Sequence, residues 1–187
     1  MKKLLLAAAL AASSFAATAA DTYDFDPNHT FPRFAISHLG FSTFHGQFNK
    51  TSGAATIDTA KKSGSVDVTI DVGSISTGVD KLNEHLKAPE FFDAAKYPTI
   101  TFQSTRFKFD GDKPAEVTGD LTMHGVTKPV TLEVEHFVCK DHPMTKKPAC
   151  GAELEAKIKR SDWGISTYVP LVGDEVELTI EVEAVKR

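Results

Sequence analysis

Apolar and polar positions alternate with a period of two along most of the chain. Phe34, Ile36 and His38 share one face of a segment whose other face is Arg33, Ala35 and Ser37. Val66, Val68, Ile70 and Val72 alternate with Asp67, Thr69 and Asp71, and Ile100, Phe102 and Ser104 with Thr101 and Gln103. Val117, Gly119, Leu121 and Met123 form a further face, as do Val130, Leu132, Val134 and His136. Leu154, Ala156 and Ile158, and then Val176, Leu178, Ile180 and Val182, complete the series. A wet face and a dry face in each segment predict antiparallel strands. Gly53, Gly64, Asp110-Gly111-Asp112, Gly125 and Val172-Gly173-Asp174 read as turns between them. Eight or nine strands at such spacing predict a closed barrel or a sandwich.

Residues 80–95 break the alternation. Val79, Leu82 and Leu86 recur at helical spacing, and Pro89 ends that stretch. A second short turn is expected around Ala88-Pro89-Glu90-Phe91-Phe92, and Tyr97-Pro98 returns the chain to strand. At the N-terminus, Lys2 and Lys3 precede an uncharged apolar run over residues 4–15 and small residues around Ala17-Thr18-Ala19-Ala20. That is the pattern of a cleaved secretory signal, and the run is shorter than the ~20 residues of a membrane span. The expected organisation is a signal peptide over residues 1–20 and one β domain over residues 21–187, with no transmembrane segment.

Charge and cysteine content narrow the function. The formal charge is −4, and losing Lys2 and Lys3 makes it two units more negative. A mildly acidic domain lacks the basic footprint of a nucleic-acid binder. Cys139 and Cys150 are separated by ten residues without a CxxC spacing. In an exported chain they are expected to form a structural disulfide, worth about 2.5–3 kcal/mol by loop closure.

Twelve of the 13 phenylalanines follow the signal segment, six of them between Phe25 and Phe48 and five between Phe91 and Phe109. An eight-stranded barrel is just wide enough to be filled by side chains or to hold one small ligand, so these rings either pack a core or line a tunnel. Catalytic signatures are missing: there is no Gly-x-Ser-x-Gly, HExxH, P-loop or Gly-x-Gly-x-x-Gly. The seven histidines lack zinc spacing. His29, His38 and His45 make a weak metal set, and an inward, hydrogen-bonded His38 and His136 are the plainer expectation. Asp26 near His29 reads as an acid–base pair or, more simply, as part of the turn Asp26-Pro27-Asn28. His124 before Gly125 is expected in a hairpin turn.

A set of ordered motifs then resembles the YceI-like family of secreted, lipocalin-like proteins. They are Phe25-Asp26-Pro27-Asn28-His29-Thr30, then Phe34-Ala35-Ile36-Ser37-His38-Leu39-Gly40 with Gly46-Gln47-Phe48. Ser74-Ile75-Ser76-Thr77-Gly78 runs into His85-Leu86-Lys87-Ala88-Pro89-Glu90-Phe91-Phe92 and Tyr97-Pro98-Thr99-Ile100-Thr101-Phe102. Gly119-Asp120-Leu121-Thr122-Met123-His124-Gly125-Val126-Thr127-Lys128-Pro129-Val130 and Arg160-Ser161-Asp162-Trp163-Gly164-Ile165 close the series. Lys81-Leu82-Asn83-Glu84 departs from the family's acidic–basic pattern before the His-Leu pair.

The resemblance implies an extended eight-stranded antiparallel lipocalin-like barrel with a short helical segment, a periplasmic location and no catalytic residues. It also implies a channel holding an isoprenoid lipid, either a polyisoprenoid or an isoprenoid quinone such as ubiquinone. The expected lining is Phe34, Ile36, His38, Phe48, Leu82, Leu86, Phe91, Phe92, Ile100, Phe102, Met123 and Trp163. No cofactor or metal is expected beyond that lipid, and a homodimer is one expected assembly. Two other functions compete with carriage or storage of the lipid. One is a periplasmic enzyme acting on it through His38 or Asp26; the other is a structural stress-response protein with a solidly packed core.

Overall fold

Alternation gives strands throughout, but several are longer and more broken than the sequence suggests. The computed structural model describes residues 20–187, so the expected signal segment falls outside them except for its last residue. In chain order the elements are β1 (Asp21–Phe25), β2 (Phe31–His38), β3 (Ser42–Phe48), β4 (Thr51–Asp58), β5 (Ser63–Asp71) and β6 (Ile75–Ser76). The helix α1 (Asp80–Leu86) follows, then β7 (Thr99–Asp110), β8 (Lys113–Met123), β9 (Val126–Asp141), β10 (Pro148–Lys159) and β11 (Val172–Lys186). Single 3-10 turns cover Val72–Ser74 and Arg160–Trp163.

Strand pairing reduces these segments to eight long strands. β1 and β4 pair with each other while β2 pairs with β3, so β1–β2 and β3–β4 each act as one strand interrupted in the middle. β5 pairs with β4 and β6 with β3, which makes β5–β6 a third broken strand. β7 to β11 then pair each with the next, and β11 closes the ring on β2 with its first part and on β1 with its last residues. The result is a closed antiparallel meander in which almost every strand neighbours the next in sequence. Closure removes the exposed sheet edges that invite pairing with other chains.

Two ends follow from the register. At one, Cys139 lies directly opposite Cys150 and the two form a disulfide, with Cα atoms 4.1 Å apart. The termini and the β4–β5 and β7–β8 turns share that end. The other end gathers the β2–β3 hairpin, α1 with its flanking turns, the β8–β9 turn and the β10–β11 connection. His124 and Gly125 make the β8–β9 turn with φ of 50° and 76°, the left-handed pair that a two-residue hairpin favours.

Several sequence expectations shift, and Gly64 and Val172-Gly173-Asp174, read as turns, lie within β5 and β11. Gly53 is no turn residue: it sits inside β4 opposite Val68, at a φ of 153°, where a Cβ would strike the Asp67 carbonyl. His136 faces outward. A register shift between Glu153 and Leu154 leaves Glu135 unmatched in β9, and this bulge reverses the alternation so that Phe137 turns inward instead. A second shift in β7 does the same beyond Ser104, whose hydroxyl accepts the Val66 N–H at 2.7 Å while Phe107 turns inward.

Candidate ligand-binding cavity

Inward-facing side chains from all eight long strands do not fill the barrel. They surround a cavity of about 470 Å³ that runs from Tyr23, Phe137 and Cys150 at the disulfide end to His38, His85 and Tyr168 at the other. Its wall is almost entirely aliphatic and aromatic. Phe34 and Phe48 rings stand 6.1 Å apart, and Phe92 meets Phe48 edge-on at 5.7 Å. Gly46 lies opposite Phe34, where any Cβ would meet the ring; the missing side chain makes room for it.

The helical segment covers part of one mouth. Asn83 Oδ1 accepts both the backbone N–H and the hydroxyl of Thr77 at 2.8 Å, which fastens the start of α1 to the end of β6. This gives Asn83 of the Lys81-Leu82-Asn83-Glu84 stretch a structural role. Leu82 and Leu86 then face the cavity. The turn after α1 folds back, with Phe92 N–H donating to Leu86 O at 3.1 Å, and this sends Phe91 and Phe92 inward as well.

Eleven of the twelve expected lining residues are in the cavity wall: Phe34, Ile36, His38, Phe48, Leu82, Leu86, Phe91, Phe92, Ile100, Phe102 and Met123. Trp163 is not. It is 2 % exposed and packed in the barrel core, its indole N–H donating to Leu121 O at 3.1 Å. Its own carbonyl accepts His124 Nδ1 at 3.0 Å, so Trp163 locks the β8–β9 turn to the β10–β11 connection. His38 is exposed at the mouth and packs beside Phe44 rather than being buried.

Polar groups in the wall are few. Arg160, quoted in the last family motif but given no role from sequence, is 6 % exposed. Its guanidinium donates to four carbonyls: Gly173 at 2.8 Å, Ile165 at 3.1 Å, Thr167 at 2.8 Å and Val172 at 3.1 Å. Burial pushes its pKa below the usual value, with Asp174 opposing, yet an arginine stays charged. Its position just after a strand and before Ser161-Asp162-Trp163 was the available signal. Thr51 carries a buried hydroxyl without a hydrogen-bond partner among the described residues.

The other chemical candidates do not meet. His38 and His45 lie on opposite faces of the β2–β3 hairpin, because Phe34 and Ile36 face inward with His38 while His45 pairs with the outward Ala35. His29 sits on the β1–β2 turn with its Nδ1 2.8 Å from Asp26 Oδ2. Asp26 also accepts the Asn28 N–H at 2.9 Å, so it is a turn residue outside the cavity wall. Among the described residues no group of three or more His, Cys, Asp or Glu is placed to hold a metal ion.

Comparison with known proteins decides the family. The model of the YceI-like domain matches residues 23–184. The chain belongs to the YceI-like family. Protein YceI of Escherichia coli O6:H1 is 41 % identical over 192 residues, covering 100 % of both chains. Among solved structures, BcnA of Burkholderia cenocepacia superposes with a TM-score of 0.74 at 27 % identity, over 86 % of this chain and 99 % of that one. A polyisoprenoid binding domain from Saccharophagus degradans shares the fold, with a TM-score of 0.67 at 18 % identity over 88 % of this chain and 98 % of that one.

Proposed function

We infer that the barrel binds one long apolar isoprenoid lipid, a polyisoprenoid or the tail of an isoprenoid quinone, and carries or stores it in the periplasm. The observation that carries this reading is the unfilled interior: a 470 Å³ space whose wall is nearly all hydrocarbon. That volume lies in the ~300–1,000 Å³ range of ligand pockets, which are mostly apolar with a few polar groups. A prenyl chain asks for no hydrogen bonds, and each buried CH₂ contributes about 0.8 kcal/mol before ordering costs. The unpartnered Thr51 hydroxyl is suited to a single polar atom of the guest. The S. degradans domain, named for polyisoprenoid binding, supports the choice of ligand class. Export through the N-terminal signal and maturation to residues 21–187 belong to the same proposal. Among the described residues no helix is long and apolar enough to cross a membrane.

The test is organic extraction and mass spectrometry of protein purified after export. A prenyl compound should recur in near-stoichiometric amount. Ala152, in the cavity wall, offers the matching variant. Ala152→Phe should fill the space and abolish the co-purified lipid while the barrel still unfolds cooperatively. Repeated absence of lipid from the unaltered protein sinks the reading.

A further inference from the structure

Exposed apolar side chains are concentrated at one place on this surface. Of the eight large hydrophobic residues exposed among the described residues, five lie on two loops: Leu39, Phe41, Tyr168, Val169 and Leu171. Phe41 is 90 % exposed and Leu171 66 %. The loops are the tip of the β2–β3 hairpin and the connection from β10 to β11. They touch, with Leu39 N–H donating to Leu171 O at 2.9 Å. Both belong to the helical end of the barrel, and both reach into the cavity mouth, which His38, Tyr168 and Val172 help to line.

We propose that these two loop tips are a membrane-docking rim, which inserts shallowly into a lipid bilayer and sets the cavity mouth on its surface. This rests on the reading of the cavity as a lipid site. Charge argues for a bilayer. Residues 34–49 and 163–173 contain no Asp, Glu, Lys or Arg, and they are the two longest such stretches of residues 21–187. The fold brings both to the same rim, so the tips can leave water without stripping a formal charge of its hydration. Shape argues the same way. Five side chains on two convex tips fall short of the ~20–30 residues a side that a stable protein interface uses. A bilayer accepts such knuckles, and a tyrosine beside aliphatic neighbours suits its interface.

The backbone at both tips is also held in a fixed, unrelaxed course. Leu39 and Tyr168 hold left-handed conformations, with φ of 54° and 63°, where glycine or asparagine would be relaxed. Arg160 fixes the second tip from inside through the Thr167 and Val172 carbonyls, and Thr167 Oγ1 donates to Glu90 O at 2.9 Å, tying it to the helical segment. The rim is therefore presented by a braced frame.

The proposal is tested by flotation of protein purified after export with phosphatidylcholine vesicles. Because the tips are uncharged, binding should need no anionic lipid and should survive salt of roughly 1 M. The double substitution Phe41→Ser with Leu171→Ser removes two exposed side chains and should lower partitioning by about tenfold or more. Met144, 84 % exposed at the disulfide end, supplies the control, and Met144→Ser should float like the unaltered protein. An N-terminal segment left in place would itself bind vesicles, so only samples whose intact mass matches residues 21–187 are compared. Unaltered protein that fails to float overturns the proposal, and so does a double variant that floats equally well. Loss of a dimer by the double variant in sedimentation, without loss of vesicle binding, overturns it in favour of a second copy of the chain. Lipid extraction of the same samples separates the two readings: docking by a lipid-free barrel sinks only the cavity assignment, and a lipid-filled barrel that does not float sinks only the rim.

Discussion

Arg160 buries a charge inside an apolar barrel and has no carboxylate within hydrogen-bonding reach. Its four carbonyl acceptors stand in for one, each a strand-end or loop oxygen in a buried or part-buried setting. Removing the guanidinium takes a donor from all four, and the buried Ile165 oxygen loses it out of reach of water. Arg160→Met is therefore expected to cost about 2–4 kcal/mol in chemical denaturation. Arg160→Lys should recover only part of it, because one ammonium cannot span four fixed acceptors. At the β1–β2 turn the charges are exposed and pH decides. Asp26 raises the His29 pKa above its ordinary 6.5 by hydrogen bond and charge. His29 and the Asn28 N–H hold Asp26 below its ordinary 3.8. The histidine's contribution is whole below 6.5 and fades as pH rises through the raised value; the carboxylate's is whole above 3.8 and fades as pH falls through the lowered one. The stability difference between the protein and His29→Ala should thus be greatest between those limits and shrink on both sides. An NMR titration of the imidazole should show a midpoint above 6.5.

Among the elements, the β9–β10 hairpin carries the disulfide across directly opposed residues. Replacing both cysteines by serine should lower stability by about 2.5–3 kcal/mol in thermal unfolding, and the cavity's helical end should be untouched. The same hairpin marks what could be read from sequence. Leu132 and Val134 on β9 and Leu154 on β10 were legible as inward positions because a two-residue period survives wherever pairing is regular. His136 was misplaced because a bulge inserts one residue and reverses every later position, and the bulge depends on the partner strand, which a local pattern does not contain. Gly53 looked like a turn for a related reason: its missing side chain serves a close approach by Asp67, a tertiary fact. In the helical segment the spacing of Leu82 and Leu86 made the helix legible, while their place over the cavity came only from family resemblance. The inward course of Phe91 and Phe92 came only from family resemblance. Trp163 and Arg160 were hardest, since their partners Leu121 and Gly173 lie on other strands.

At the scale of the molecule, the barrel is rigid where backbone bonds its wall and looser where side chains alone do so. The Thr99 end of β7 pairs with Asp71 of β5, and β6 pairs only with β3. Between them, residues 80–97 make their backbone hydrogen bonds among themselves and with Val79. This segment is held to the barrel mainly by apolar packing and by the Thr77–Asn83 and Thr167–Glu90 contacts. Elements secured this way open at a lower free energy than paired strands. In hydrogen–deuterium exchange, amides of residues 80–97 should exchange well before those of β8 to β10, and at a rate that leaves the global unfolding midpoint unchanged. A guest as long as a prenyl chain could then enter or leave through a local excursion of about eighteen residues, with the closed ring of strands intact. The energy of that excursion would add to the hold of the wall in setting how long a bound guest stays.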